Sequence, residues 1–131
     1  MFSAKFLLAA LSFAAVPSSL TLGGELASSS IIACTGTINP PDGCATISVV
    51  SASCINLTGD LSSLNNAVSW VQVPDGLVCT FFQDRDCRNG GVNADDVIVL
   101  EGGTWDMSDV QGIGGPQNFS GQTSSISCSP R

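Results

Sequence analysis

The chain has 131 residues, six cysteines, no histidine and a formal net charge of −7. That length makes one domain, and without an imidazole there is no conventional nucleophilic triad. Eleven acidic residues against four basic ones also disfavour a nucleic-acid partner, because such a surface repels a polyanion while keeping the protein soluble.

At the N-terminus Lys5 is the only charge before a run, 6–16, that is almost wholly apolar, and Pro17 then leads into small residues. This is the pattern of a secretory signal peptide, 1–18, with a second possible cut after Gly23. No later apolar run reaches the roughly 20 residues that span a bilayer, so a secreted, extracellular chain without a membrane span is expected. Residues 19–30 read as a flexible lead-in, and 31–131 as a single domain. Cys34, Cys44, Cys54, Cys79, Cys87 and Cys128 all lie beyond the leader. An even count in a short secreted chain points to three disulfides. Zinc is disfavoured, since its thiolate sites are usually assembled from Cys-x-x-Cys pairs and none occurs.

From residue 31 the β-branched run to Ile38 predicts a strand, closed by the turn cluster Asn39-Pro-Pro-Asp-Gly43 and followed by a second strand over 44–50. Residues 51–64 read as an irregular connection with room for one helical turn. Over 68–73 the alternation predicts a half-buried strand, with Val71 and Val73 on one face and Trp70 and Gln72 on the other, ended by Pro74-Asp-Gly76. The second half repeats the plan: a strand over 77–83, a hairpin over 84–93 with Asn89-Gly90-Gly91 at its turn, a strand over 97–100, a Gly-rich connection over 104–118 and a closing strand over 124–128. Cys34-Thr35 lies over Cys79-Thr80, and Ser69-Trp-Val-Gln-Val73 over Ser124-Ser-Ile-Ser-Cys128. This is an internal duplication with a period of about fifty residues. Two such units, 31–73 and 77–128, predict an all-β fold of two Greek keys packed as a β-sandwich.

Phe81-Phe-Gln-Asp-Arg-Asp-Cys-Arg-Asn-Gly90, with the returning strands 69–73 and 124–128, resembles the β/γ-crystallin motif. In that motif an aromatic strand enters a folded hairpin and a Ser-bearing strand returns much later. The resemblance covers most of 31–128 and is closest to small secreted fungal proteins that carry the pattern with cysteines. Cys87 stands where the hairpin aromatic is usual. The resemblance also implies two calcium sites on Asn/Asp-Asn/Asp-x-x-Ser/Thr-Ser, whose short oxygen-bearing side chains suit a hard cation. Asn65-Asn66-Ala-Val-Ser69-Trp70 keeps five of those positions but has Trp70 in the last. Ser120-Gly-Gln-Thr-Ser124-Ser125 keeps the Ser pair but neither Asn/Asp. The two sites therefore read as degenerate, and no resident cofactor is expected beyond weakly held calcium.

Side-chain parity bears on the disulfides. Ile126 and Cys128 share a face, so Cys128 points inward if Ile126 does, and Cys87 is favoured as its partner. Cys44 with Cys54 is disfavoured unless the chain bends at 51–53, because ten extended residues span about 33 Å and a bridge needs Cα atoms within roughly 7 Å. The remaining pairings stay open.

Two sequons, Asn56-Leu-Thr58 and Asn118-Phe-Ser120, fall in predicted loops and make a glycoprotein of the chain in a eukaryotic host. Trp70 and Trp105, if exposed, are candidate contacts for carbohydrate or a partner. The carboxylate pairs Asp84 with Asp86 and Asp95 with Asp96 are what a glycan hydrolase would need, but Asp in such places is more often a solvated turn former. The ranking is a non-enzymatic binding or effector-type protein first, a calcium-binding or structural protein second, and a small hydrolase third. The expected partner is an extracellular protein or glycan, and the expected state a monomer.

Overall fold

The computed structural model describes residues 29–88, 96–112 and 115–131. The leader, the lead-in up to residue 28, the turn Asn89-Gly90-Gly91 and Asp95 lie outside the described residues. The fold is all-β and stapled by three disulfides. Eight strands are present among the described residues: β1 (Ser29–Cys34), β2 (Cys44–Val49), β3 (Cys54–Asn56), β4 (Trp70–Phe82), β5 (Val97–Asp106), β6 (Val110–Gly112), β7 (Gly115–Gln117) and β8 (Ser125–Pro130). The helical turn expected between 51 and 64 is a 3-10 helix over Gly59–Leu64.

β4 organises the rest. It runs for 13 residues through Pro74-Asp75-Gly76, where the sequence predicted an end, because the ladder with β5 absorbs those residues as a bulge between Val73 and Val78. Proline is tolerated there since it interrupts the pairing anyway. Opposite the bulge stand Gly102 and Gly103. A Cβ on Gly102 would lie 2.9 Å from Asp75 Cα and 3.1 Å from the Pro74 carbonyl oxygen, so the close approach of the two backbones requires glycine. Gly102→Ala is therefore expected to destabilise the fold by roughly 1–3 kcal/mol, because the Asp75 carboxylate, 2.8 Å away, can swing aside but the main-chain contacts stay. An unchanged melting temperature would show that β5 can retreat from the bulge.

The bulge divides the sheet. β5 follows β4 along one edge throughout, while the other edge is shared: β1 pairs with Trp70, Val71 and Gln72, and β8 pairs with residues 77–82. The first half is thus ordered β2, β1, start of β4, end of β5. The second is ordered β3, β8, end of β4, start of β5. In each half the last strand of the unit lies beside its first. Within the Gly-rich connection expected over 104–118, β6 and β7 pair antiparallel, Val110 opposite Gln117 and Gly112 opposite Gly115.

Period-two alternation turns one face of each half inward. In the second half Ile98, Phe81, Ile126 and Ile55 stand side by side across four strands, followed by Leu100, Cys79 and Cys128. In the first half Ala45, Ala33, Val71 and Trp105 make the corresponding row. These residues, with Leu57, Leu64, Met107 and Phe119 from the connections, build the core.

The disulfides correct the pairing expected from parity. Cys128 does face inward with Ile126, but the residue opposite it in the ladder is Cys79, Cα atoms 4.0 Å apart, and these two are bonded. Cys87, favoured as the partner of Cys128, bonds Cys54 instead, tying the 3-10 turn Arg85–Cys87 to β3. Cys34 bonds Cys44 across the first hairpin. That bond also corrects the laying of Cys34-Thr35 over Cys79-Thr80. Cys79 is in the core, whereas Cys44 alternates with the buried Ile47 and Val49 and is exposed on the outer face. Its partner Cys34, which shares that face by register, is fully buried there without joining the core cluster. The return strands do correspond: Val71 and Ile126, superposed in the sequence, face the core opposite Ala33 and Phe81.

Candidate functional site

With the inward rows filled, the outward face of the first half presents what a ligand would meet. Thr46, Ile32, Gln72 and Thr104 stand abreast across its four strands, and the next row is Cys44, Cys34, Trp70 and Asp106. A trough lies over this face in two lobes of about 550 and 440 Å³. Ser30, Ile32, Thr46 and Asp75 line the larger, and Thr37, Ile38, Asn39 and Trp70 the smaller, with Gln72 and Thr104 lining both. Its ends are raised by different devices. One is the bulge at Pro74 and Asp75. The other is the loop 35–43, folded back by hydrogen bonds from Thr35 N–H to the Gly43 carbonyl (3.0 Å) and from Gly36 N–H to the Asp42 carbonyl (2.9 Å).

The two tryptophans divide between the faces. Trp105 packs against the core, and its Nε1–H donates to the Glu101 carbonyl at 2.8 Å, which satisfies the indole internally. Trp70 is half-buried, belongs to the opposite face as its alternation with Val71 predicts, and lines the trough. Among the described residues no lysine or arginine lines either lobe. Of the basic residues described, Arg131 pairs with Glu101 at 3.2 Å, and Arg85 and Arg88 flank Cys87. The trough is a surface of hydroxyls, amides, one carboxylate, one aromatic ring and the aliphatic side chains of Ile32, Ile38, Val73 and Pro74.

The other candidate residues lie elsewhere. Asn65, Asn66 and Ser69 are brought against the segment 120–124, where Asn66 N–H donates to the Thr123 carbonyl (2.9 Å) and Gly121 N–H to the Val68 carbonyl (3.0 Å). Ser124 Oγ donates to Asn66 Oδ1 at 3.1 Å, and the Ser69 and Ser120 hydroxyls meet at 3.4 Å. Ser125 is bound differently: its hydroxyl donates to the Asp84 carbonyl (2.6 Å) and accepts from Cys87 N–H (2.9 Å). Asn65 Oδ1 and Thr123 Oγ1 are buried without a hydrogen-bond partner. All the side-chain oxygens at this crossing are neutral, and three of its hydroxyls are already committed, those of Ser69 and Ser120 to each other and that of Ser124 to the Asn66 amide. This set does not fit a tightly held calcium ion, which calls for six or more oxygens and usually carboxylates.

Asp84 and Asp86 sit on an exposed turn away from the trough. Asp86 has a left-handed backbone, φ 63°, and is clasped by Asn56: Asn56 Nδ2 donates to Asp86 Oδ1 (2.9 Å) and Asp86 N–H donates to Asn56 Oδ1 (2.7 Å). Asn56 thus ends strand β3, not a loop as expected, and its whole carboxamide is engaged. Asn118 is in a loop and exposed, its Oδ1 accepting from Ser120 N–H at 2.9 Å. Asp96 caps the start of β5 through its carbonyl, which accepts from Gln83 N–H.

No model of a known protein family matches the chain, and no curated protein matches it in sequence. Sequence reasoning named Trp70 but not the trough around it. The alternation of 70–73 was the available signal, whereas Ile32, Thr46 and Thr104 become neighbours only through the sheet. No helix among the described residues is long and apolar enough to cross a membrane.

Proposed function

We propose that the chain is a secreted, monomeric, non-enzymatic binding protein of the effector type, and that the trough on the outer face of its first half-sheet is the binding site. The scaffold in this reading is a β/γ-crystallin-like pair of Greek keys, 31–73 and 77–128, packed as a sandwich. The strand order supports it, since each unit's last strand lies beside its first and each half-sheet borrows an edge strand from the other unit. The observation that carries the functional reading is the trough itself. Lobes of 550 and 440 Å³ are in the range of ligand sites, and mixed aromatic and hydrogen-bonding linings are typical of them. Asp84 and Asp86 lack such a setting, which favours binding over hydrolysis. The leader is removed, and N-glycans are carried at Asn118 and, where attachment precedes its clasp with Asp86, at Asn56. Intact mass before and after enzymatic deglycosylation checks both.

The test is capture of extracellular protein or cell-wall fractions by the oxidised mature protein, compared with Gln72→Ala and Thr104→Ala, both at exposed positions of the trough. Capture that falls in both variants supports the reading. Capture equal in all three proteins overturns the trough as the site.

Calcium, in this reading, is no resident ligand. With Trp70 in place of an oxygen donor and Ser120-Gly121 in place of two Asn/Asp, the dissociation constant is expected to be no tighter than about 10⁻⁴ to 10⁻³ M. Calorimetry at micromolar calcium should show negligible heat, and the melting temperature should not move, because a ligand far below its dissociation constant adds almost nothing by mass action. Micromolar affinity would promote the calcium-binding alternative.

A further inference from the structure

The chemistry of the trough narrows its ligand. We propose that it binds a neutral oligosaccharide chain, with a pyranose face on Trp70 and sugar hydroxyls hydrogen-bonded by Gln72, Thr104, Thr46 and Asp75. This assignment rests on the trough being the binding site.

Three observations lead to it. The first is where the trough lies. Its floor is the middle of a sheet, with β1 bonded to β2 and β4, and β4 bonded to β1 and β5. The backbone donors and acceptors of the central floor strands β1 and β4 are therefore consumed in ladders, and an extended peptide lying along the trough over them would find none to pair with. The open strand edges, of β2 and β5, lie at its sides. Recognition has to go through side chains.

The second is the kind of side chain presented. Thr46, Gln72 and Thr104 stand in one row across the sheet, all exposed, and each can both donate and accept. Asp75 at one end accepts only, and Asn39 at the other both donates and accepts. A hydroxyl on a sugar is likewise donor and acceptor, so a row of dual-function groups matches a polyol without fixing which partner donates. Trp70 and Ile32 supply apolar surface between them. A pyranose ring offers the complementary pattern, with C–H groups on its faces and hydroxyls around its rim.

The third is charge. Among the described residues no cation lines the trough and its one ionisable lining group is the carboxylate of Asp75, and the chain as a whole carries −7. A sulfated, phosphorylated or uronic-acid glycan would be repelled, whereas a neutral one meets no penalty. The two lobes share Gln72 and Thr104, so the site suits a chain of several sugar units laid from the Asn39 end to the Asp75 end.

The experiment is a titration of the oxidised mature protein, followed by calorimetry and by tryptophan emission. The ligands are hexamers of β-linked glucose and of β-linked N-acetylglucosamine, with a hexamer of galacturonic acid as the anionic counterpart. The expected result is saturable binding of a neutral hexamer and none of the acidic one. Gln72→Ala and Thr104→Ala should each weaken binding about five- to tenfold, the worth of about one hydrogen bond, at unchanged melting temperature. Trp70→Ala should abolish it. Absence of binding by both neutral hexamers up to millimolar concentration overturns the proposal, as does binding that is indifferent to both exposed variants or equal for the acidic hexamer. If capture from extracellular fractions falls in Gln72→Ala and Thr104→Ala but neither neutral hexamer competes for it, the trough stands as a binding site and the glycan assignment falls. If capture is the same in wild type and variants, both fall.

Discussion

Replacing Cys79 and Cys128 together by alanine should lower the unfolding free energy by about 4 kcal/mol, the loop-closure value for a separation of 49 residues. Packing makes this a lower bound for the site, since both sulfurs lie in the core beside Leu100 and Ile126 and their removal leaves a void. The comparison that gives the number meaning is Cys34→Ala with Cys44→Ala. That bond closes a separation of only 10 residues on the outer face, and the same relation assigns it about 3 kcal/mol. Equilibrium urea unfolding of the two double variants, with the remaining disulfides intact, measures both. If the Cys34 and Cys44 variant proved the less stable of the two, the assignment of Cys79 to the core face would be wrong.

Phe81→Ala is expected to cost roughly 3–5 kcal/mol, and Phe82→Ala no more than about 1 kcal/mol. The residues are neighbours of the same type, and only their parity differs. Phe81 is fully buried, with Ile98 on one side and Ile126 on the other in its row, whereas Phe82 is half-buried on the opposite face. Since a domain of this size has about 5–15 kcal/mol in total, Phe81→Ala should leave a chain that melts far below the wild type or is partly unfolded at 37 °C. Similar losses for both substitutions, read by thermal melts followed by circular dichroism, would contradict the register of β4 on β5 and β8.

How much of this was legible in the sequence depends on the range of the interaction that decides it. The faces of 70–73 follow from alternation alone, and Trp70 and Gln72 are where that alternation puts them. The strand break expected at Pro74-Asp-Gly76 did not occur, because turn-forming residues end a strand only when nothing across the ladder can accommodate them. Here Gly102 and Gly103, almost thirty residues away, do so. The inward direction of Cys128 was legible from its spacing to Ile126. Its partner was not, since that depends on which residue of β4 stands opposite it. The shared Cys-Thr dipeptide misled for a related reason: sequence likeness carries no parity, and a shift by an odd number of residues exchanges core for surface. The trough was the least legible feature, because its floor takes one residue from each of four strands spread between 32 and 104.

β4 serves as the last strand of one unit and the first of the next without a loop between them, and this bears on how the molecule opens. Two repeats joined by a linker can fray separately, but here a single run of backbone is hydrogen-bonded into both half-sheets. Freeing one half therefore unzips an edge of the other, which removes any thermodynamic seam between them. Amide protons at Val71 and Phe81, ten positions apart and in different halves, should then exchange with solvent through the same global event and report one common opening free energy. Two distinct values in native-state hydrogen exchange would mean that the bulge at residues 74–76 acts as a hinge between separately melting parts.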